Sequence, residues 1–215
     1  TDLIRFNNYF YCSFRVGSDH AGGEDGKVRI IRSGDGENWE NVDLLEKPGI
    51  DLRDPKLSVT PDGRLMVITG GSVYENRKLL GRKPHVSFSD QPGLNFSVPQ
   101  QVKFTDKSGS GFSWLWRVTW KGNIGYSIDY QIDDENEWKI FLMKTIDGIN
   151  FENVAQLDVD GKPNEATIRF DEKNNLYVLI RREGGDKFGV LAMSKYPFKK
   201  WSYEKLDFRL GGPNF

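Results

Sequence analysis

A short turn motif recurs along this chain at a fixed interval, and it limits the possible folds more than any other sequence feature. The motif begins with Ser or Thr, continues through Asp and Gly, and ends on an aromatic residue. Clear copies span residues 33–39, 89–96 and 145–151, and a degenerate copy without Asp and Gly spans 194–201. The clear copies begin 56 residues apart, and the fourth follows after 49. Asp and Gly favour tight turns, because Asp accepts bonds from nearby backbone N–H groups and Gly adopts positive φ.

A second hairpin pattern alternates with this motif. Apolar alternating runs flank turns such as 61–63 and 121–123, and these hairpins span residues 3–14, 57–68, 118–128 and 166–180. Each repeat therefore carries two hairpins, or about four strands. A period of about 50 residues per four-stranded unit is typical of a β-propeller blade. The sequence predicts an all-β fold, a β-propeller of four-stranded antiparallel blades, with about four blades in one domain spanning residues 1–215.

The end of the chain resembles the beginning of another unit. Residues 206–215 read as the start of a fifth blade that then stops. Propellers of this period usually need more than four blades to close. We therefore expect the chain to be a fragment that lacks C-terminal blades.

Charge and composition exclude several classes of function. The chain has 30 Lys and Arg against 31 Asp and Glu, a formal net charge of −1, which argues against a nucleic-acid or membrane-surface partner. No apolar run approaches the roughly 18 residues that a membrane span needs. The single cysteine, Cys12, excludes an internal disulfide framework. No Cys/His cluster predicts zinc and no Gly-rich loop predicts a bound phosphate, so we expect no metal and no cofactor.

Polar and aromatic residues occupy equivalent points of the repeat, just before the strand that opens each unit. They are Arg53-Asp54, Trp116-Arg117, Asn164-Glu165 and Pro213-Asn214. Because the innermost strands of a propeller line its central channel, side chains at these points would face a ligand. The repeat phase alone therefore predicts one binding site to which these groups contribute.

The motifs resemble those of the sialidase superfamily. The turn motif resembles the Asp-box, or BNR repeat, whose pattern is roughly Ser-x-Asp-x-Gly-x-x-Trp. The copies at Ser33 and Thr145 are one residue shorter before Gly, and only the first and last copies keep Trp. Residues 53–65 resemble the sialidase Arg-Ile-Pro segment, with Asp54 in place of Ile. Residues 164–182 resemble the segment that carries the family's catalytic Glu and a later substrate-binding Arg, and the chain as a whole is similar to bacterial exo-α-sialidase-like proteins.

The resemblance implies an extracellular or periplasmic glycoside hydrolase that cleaves terminal acidic sugars from a glycan or sialoglycoconjugate. Sialidases hold the substrate carboxylate with three Arg, because planar guanidiniums give bidentate, charge-assisted bonds. By resemblance Arg53 is one of them and Arg181 a second. Arg182 is the alternative to Arg181, because strand alternation lets only one of the two face the channel. Arg15, near the end of the second predicted strand, is a further candidate.

The resemblance also implies a Tyr nucleophile activated by Glu, with an Asp acid/base. Glu165 takes the place of the activating Glu. The acid/base is expected in the loop 17–26, where Asp19 and Asp25 are candidates and His20 could transfer a proton near neutral pH. The nucleophilic Tyr and a third Arg are expected beyond Phe215.

Two other functions fit the same residues. Arg-Asp-Pro also occurs in five-bladed propeller glycosidases of the fructosidase type, where Asp54 would stabilise the transition state and Glu165 would be the general acid. A non-catalytic glycan-binding propeller would instead keep Trp116, Arg53 and Arg117 as ligand contacts. Repeated Asp-boxes favour the sialidase, since they are not a feature of the fructosidase group.

Several of these candidate residues also have a purely structural explanation, either packing in the core or pairing with a neighbouring residue. Trp116 alternates with Trp114 and Trp120, so all three could form one buried stripe. Arg53 and Asp54 could pair with each other, Glu165 could pair with Arg181, and His20 could be a solvated loop residue. Cys12 is expected to be a small core residue.

Overall fold

In the part of the chain that the structure describes, regular structure is formed by β-strands. The computed structural model of the chain describes residues 1–19, 26–105, 112–133 and 135–215, and every regular element in those ranges is a strand. The all-β prediction is confirmed. The described residues divide into two compact units, Thr1–Val102 and Lys103–Phe215.

The first unit contains two antiparallel sheets. One has the order β1-β2-β3-β4, with β1 (Asp2–Phe6), β2 (Tyr9–Val16), β3 (Lys27–Ser33) and β4 (Glu40–Leu45). The other has the order β5-β6-β8-β9, with β5 (Asp51–Val59), β6 (Leu65–Glu75), β7 (Lys78–Arg82), β8 (His85–Phe88) and β9 (Gln100–Gln101), and β7 pairs with β6 as an added hairpin.

The second unit also contains two sheets. Its first sheet comprises β10 (Lys103–Phe104), β11 (Ser113–Leu115), β12 (Thr119–Lys121), β13 (Ile124–Ile132), β14 (Trp138–Thr145) and β15 (Asn150–Leu157), in the order β10-β15-β14-β13-β11, with β12 also on β13. The second sheet has the order β16-β17-β18-β19, with β16 (Pro163–Phe170), β17 (Leu176–Arg182), β18 (Phe188–Ser194) and β19 (Trp201–Arg209). Each sheet thus follows the meander order of a propeller blade, as the repeat predicted, with β7 and the parallel strand β10 as unpredicted additions.

Alternation along the strands gives each unit its own hydrophobic core. In β3, Val28 and Ile30 are fully buried while Arg29 between them is only half-buried. The first unit's core gathers such residues from β1 to β6, and the second unit's core gathers them from β13 to β18. In β2 the inward residue is Tyr11, so the prediction that Cys12 is a core residue is wrong: Cys12 lies on the opposite face and is half-buried.

The repeated turn is held by hydrogen bonds from its own backbone N–H groups to its Ser or Thr hydroxyl and its Asp carboxylate. The Asp147 carboxylate accepts the N–H groups of Ile149 and Asn150 at 2.8 Å each, and also the Asn150 side-chain amide. The Thr145 hydroxyl accepts the N–H of Gly148 at 2.9 Å, and Gly148 has φ of 74°. The turn at Ser33 repeats this arrangement around Asp35. The polar groups of these turns are therefore engaged in shaping the hairpin.

Replacement of Asp147 by Ala is expected to lower the free energy of unfolding by about 1–2 kcal/mol, since it removes the acceptor for two backbone N–H groups. Although burial alone raises the pKa of Asp147, its hydrogen bonds lower the pKa overall. The stabilisation is thus present above the ordinary pKa of an aspartate and is lost as pH falls through the lowered folded-state value. Thermal melts at pH 7 and pH 3 measure this, with Asp147→Asn as the variant that keeps an acceptor oxygen. A melting temperature equal to that of the wild type at pH 7 would contradict the prediction.

Candidate active site

Two pairs of predicted site residues, Arg53-Asp54 and Asn164-Glu165, lie at β-bulges in strands that open their sheets. In β5, Arg53 pairs with Gly70 and the next pair is Lys56 with Ile68, so two residues lie opposite one. In β16, Pro163 pairs with Arg182 and the next pair is Ala166 with Ile180, which is the same irregularity. Such bulges redirect side chains and are common beside active sites. Arg53-Asp54 and Asn164-Glu165 therefore occupy equivalent positions of their sheets.

These positions correct the expected strand boundaries. The sequence placed Arg53-Asp54 and Asn164-Glu165 just before their strands, whereas β5 begins at Asp51 and β16 at Pro163. The physical reason is the bulge, which interrupts the period-two alternation. In β5 the bulge also accommodates Pro55, which has no N–H for the ladder.

Trp116 and Arg117 lie at a third irregularity, in the second unit. Leu115 pairs with Asp129 and Thr119 with Tyr126, so residues 116–118 lie opposite only two residues. The backbone N–H of Trp116 still donates to the carbonyl of Ile128, and the residue is 3% exposed. This burial favours the packing interpretation of Trp116, while Arg117 is half-buried.

In the first unit, two arginines flank one buried carboxylate. Asp51 Oδ1 accepts Arg15 Nε at 3.0 Å, Arg15 Nη2 at 2.8 Å and the Gly26 N–H at 3.0 Å. Arg53 Nε lies 4.0 Å from Asp51 Oδ2, and Arg53 Nη1 lies 3.4 Å from the Tyr74 hydroxyl. Two guanidiniums thus lie beside one buried carboxylate. The arrangement can attract an anion, and planar guanidiniums can bind a carboxylate in bidentate fashion.

Sequence reasoning missed Asp51 and Tyr74. A signal for Asp51 was present, because it lies two residues before Arg53 and alternation puts both on one face of the strand. Tyr74 belongs to the next strand, β6, and no local pattern links it to Arg53.

Asp54 carries an accessible carboxylate on a strained backbone. Its φ is 48°, which is uncommon for a residue other than Gly, and its side chain is half-buried. Among the described residues its carboxylate has no hydrogen-bond or ion-pair partner, so the alternative interpretation of Arg53 and Asp54 as a local salt bridge does not hold. Asp19 is exposed, its carbonyl accepts Arg15 Nη1 at 2.7 Å, and its carboxylate lies 3.8 Å from Arg77. His20 and Asp25 lie outside the described residues.

In the second unit, Glu165 heads a chain of alternating charges. Glu165 Oε1 lies 2.9 Å from Arg181 Nη1, and the same guanidinium binds Glu183 through Nη2. Glu183 in turn pairs with Arg209 at 3.1 Å. Burial alone lowers the pKa of Arg181, but its two carboxylate partners raise the pKa overall. About a fifth of each of the Glu165 and Arg181 side chains remains exposed, so both can meet a ligand.

The structure separates Arg181 from Arg182, which the sequence left as alternatives. Arg182 is buried, donates from Nε to the Phe188 carbonyl at 2.7 Å and pairs with Asp160 and Asp186. Arg181 points to the other face, toward Glu165. Strand alternation therefore gives Arg182 a structural role and leaves Arg181 beside Glu165.

Asn164 binds the backbone of Glu165, whereas Asn214 binds Arg169. Asn164 is buried, and its side-chain oxygen accepts the Glu165 N–H at 2.8 Å. Asn214 is exposed and accepts Arg169 Nη2 at 2.6 Å, while Thr167 donates to the Pro213 carbonyl. A Cβ on Gly212 would lie 3.9 Å from Glu165 Oε2, so the last described segment passes beside the Glu165 carboxylate.

One buried carboxyl was not anticipated from the sequence. Asp129 in β13 has no exposed surface, and it accepts bonds from the Ser113 hydroxyl, the Gln131 amide and the Trp114 N–H. Burial raises the pKa of Asp129 from 3.8 to about 6, which the hydrogen bonds only partly oppose. The available sequence signal was the alternation of Ser127, Asp129 and Gln131, which places three polar side chains on one face of β13.

Asp129→Asn is expected to stabilise the protein at pH 8 by about 1–3 kcal/mol, because it replaces a buried anion with a neutral group. The folded wild type holds this proton up to a pH of about 6, whereas an unfolded aspartate releases it near 3.8. Stability of the wild type therefore falls as pH rises through this window, and the advantage of the variant disappears below it. Denaturant unfolding of both proteins from pH 3.5 to pH 8 checks this, and a difference independent of pH would contradict it.

Comparison with known proteins supports the fold. No family sequence model and no curated protein sequence matches the chain. A Dyadobacter fermentans protein of unknown function has a similar structure, with TM-score 0.80, 19% identity and coverage of 97% of this chain and 68% of that one. A Hadza microbial sialidase matches with TM-score 0.73, 15% identity and coverage of 94% and 45%. The exo-β-1,3-galactanase 1,3Gal43A from Clostridium thermocellum matches with TM-score 0.69, 18% identity and coverage of 95% and 47%.

At these identities the similarities show the fold, which is that of β-propellers, and structural neighbours of the chain include sialidases and other glycosidases. The chain spans less than half the length of the two glycosidases named above. Within the described ranges, no three or more His, Cys, Asp or Glu side chains gather in a group that could hold a metal ion. The same residues include no helix that is long and apolar enough to cross a membrane.

Proposed function

We propose that this protein is a glycoside hydrolase that acts on terminal acidic sugars, in the manner of an exo-α-sialidase. The observation that carries the proposal is the partly exposed Glu165–Arg181 pair at the bulge of β16. A carboxylate in that place can activate a hydroxyl nucleophile, and the guanidinium can also contact a substrate anion.

The neighbouring charges favour the sialidase-type role for Glu165. A guanidinium 2.9 Å away stabilises the ionised form of a carboxylate. An ionised Glu is suited to accept a proton from a tyrosine hydroxyl. A general acid of the fructosidase type must instead hold its proton before the bond breaks.

The arginine cluster of the first unit supports an acidic ligand. The side chains of Arg15 and Arg53 are 17% and 13% exposed, so part of each guanidinium-bearing side chain remains accessible beside Asp51. We assign Arg53 to a ligand carboxylate and Arg15 to the support of the cluster. Arg181 and Arg117 are the corresponding cations that we propose in the second unit, with Asn164 and Asn214 as positioning residues.

The remaining assignments follow from the same proposal. Asp19, Asp25 and His20 are the proposed acid/base candidates. The proposed location is extracellular or periplasmic, where glycan substrates are found. We propose that the repeated turns are Asp-boxes, which the bonds around Asp35 and Asp147 support.

A fructosidase-type glycosidase is the second enzymatic candidate, and Asp54 favours it. Its carboxylate has no described partner, and its positive φ holds it at the bulge of β5. A non-catalytic glycan-binding propeller is the third candidate. The burial of Trp116 argues against its use as a sugar contact in this alternative.

Assays of the purified chain with three ligands separate these functions. An aryl α-sialoside should release its fluorescent aglycone if the proposal is correct. Turnover of sucrose without turnover of the sialoside would favour the fructosidase. Binding of sialyllactose in calorimetry without release of either product would favour the binding module.

A further inference from the structure

A basic and aromatic groove lies at the degenerate copy of the repeated turn. The β18–β19 hairpin of the second unit encloses a groove of about 530 Å³ lined by Ser194, Lys195, Tyr196, Lys199, Lys200 and Trp201. At this turn Lys and aromatic residues replace the Asp and Gly of the other copies. The change removes the carboxylate that closes the turns at Asp35 and Asp147, and it leaves the site positively charged.

The three lysines of the groove are all exposed and lack acidic partners. Lys195 and Lys200 form no hydrogen bond or ion pair through their ammonium groups with any described residue, and Lys199 donates only to the carbonyl of Val154. In contrast, the nearby Lys144 pairs with Glu152. Three uncompensated ammonium groups around one groove are complementary to an anionic ligand.

An aromatic ring stands at the edge of the same groove. Tyr196 is 80% exposed, and its ring packs edge-on against Phe198 with centroids 5.7 Å apart. Phe198 is itself buried in the second unit's core, where it also contacts Tyr126. The exposed ring therefore has one edge packed on a buried neighbour and leaves a face on which a planar or cyclic ligand can stack.

The groove is separate from the candidate active site. Ser194, at the edge of the turn, pairs with Leu176, the N-terminal residue of β17. Arg181 lies near the C-terminal end of that strand. Five residues of strand separate the two positions by roughly 17 Å. A ligand in the groove would not occupy the place of a sugar at Glu165.

We propose that this groove binds an acidic polysaccharide, with its carboxylates or sulfates on the lysines and a sugar ring on Tyr196. The choice of a glycan rests on the proposed function, whereas the anionic character rests on the groove itself. A single-stranded nucleic acid carries the same sign of charge, so the choice of a glycan rests on the proposed function and is decided by the oligonucleotide arm of the test. The site would hold the protein on a polymer while the Glu165 region remains open.

Titration of the full chain with polygalacturonate at low salt tests the proposal. The double variant Lys195→Gln/Lys200→Gln is expected to lower the affinity at least about 10-fold, and Tyr196→Ala about 3-fold or more. The affinity of the wild type should fall as salt is raised, because the contacts are exposed ion pairs. Dextran, a neutral polysaccharide, should bind much more weakly.

Lys78→Gln/Lys187→Gln is the matched control, since it removes the same charge from exposed lysines elsewhere. Equal losses in the two double variants, or no binding of polygalacturonate by the wild type, would overturn the site. Tighter binding of a single-stranded oligonucleotide than of polygalacturonate would overturn the assignment to a glycan. All of these measurements are repeated in Glu165→Gln, where binding in the groove should persist. The groove is thereby tested whether or not the chain hydrolyses sialosides.

Discussion

Glu165→Gln is expected to lower the kcat for an aryl sialoside by about 10²–10⁴-fold, which is the usual contribution of a positioned acid or base. The variant keeps the size of the side chain but loses the group that accepts a proton. Its effect on folding should be small, because Arg181 keeps Glu183 as an ionic partner. Single-turnover kinetics measure the loss of catalysis, and a thermal melt of each sample measures any loss of stability.

Glu183→Gln is the matched control for this prediction. It removes the other carboxylate from the same guanidinium and leaves Glu165 in place. We expect its melting temperature to resemble that of Glu165→Gln, while its turnover stays within about 10-fold of the wild type. Equal losses of turnover in both variants would show that the charge network matters and that Glu165 has no special role.

Asp51→Ala is expected to have the largest effect on stability, a loss of about 3–5 kcal/mol. The Asp51 carboxylate is 3% exposed and accepts three bonds, two from Arg15 and one from the Gly26 N–H. Its removal leaves the Arg15 guanidinium partly buried without its carboxylate, together with a buried backbone donor. Chemical denaturation monitored by tryptophan fluorescence measures the change.

Glu46→Ala provides the comparison, since Glu46 pairs with Lys27 at the surface of the same unit and its side chain is 59% exposed. Exposed pairs contribute about 0–1 kcal/mol, so this variant should be nearly as stable as the wild type. Asp51→Asn should fall between the two, because it keeps an acceptor for the backbone donor and loses only the charge. A loss below about 1 kcal/mol for Asp51→Ala would mean that the cluster rearranges around the gap.

Local signals allowed most of the hairpins to be predicted. Asn7-Asn8 joins β1 and β2 with positive φ at both residues, a conformation that Asn favours. Asn76-Arg77 joins β6 and β7 with the same φ values, 48° and 65°, but Arg is unusual there. The added hairpin escaped prediction for that reason. Alternation likewise indicated that Arg181 and Arg182 face opposite sides, but not which of them faces Glu165.

The sequence by itself determined the kind of fold, because turn chemistry and the alternation of apolar residues act between neighbours in the chain. It also marked Arg53, Asp54 and Glu165 through their phase in the repeat. Only the tertiary structure decided their partners. Arg15 meets Asp51 across 36 positions of sequence, Glu165 meets Arg181 on the adjacent strand, and Asp54 pairs with neither of its neighbours. These contacts depend on strand register and on bulges, which set the direction of each side chain and which no local pattern encodes.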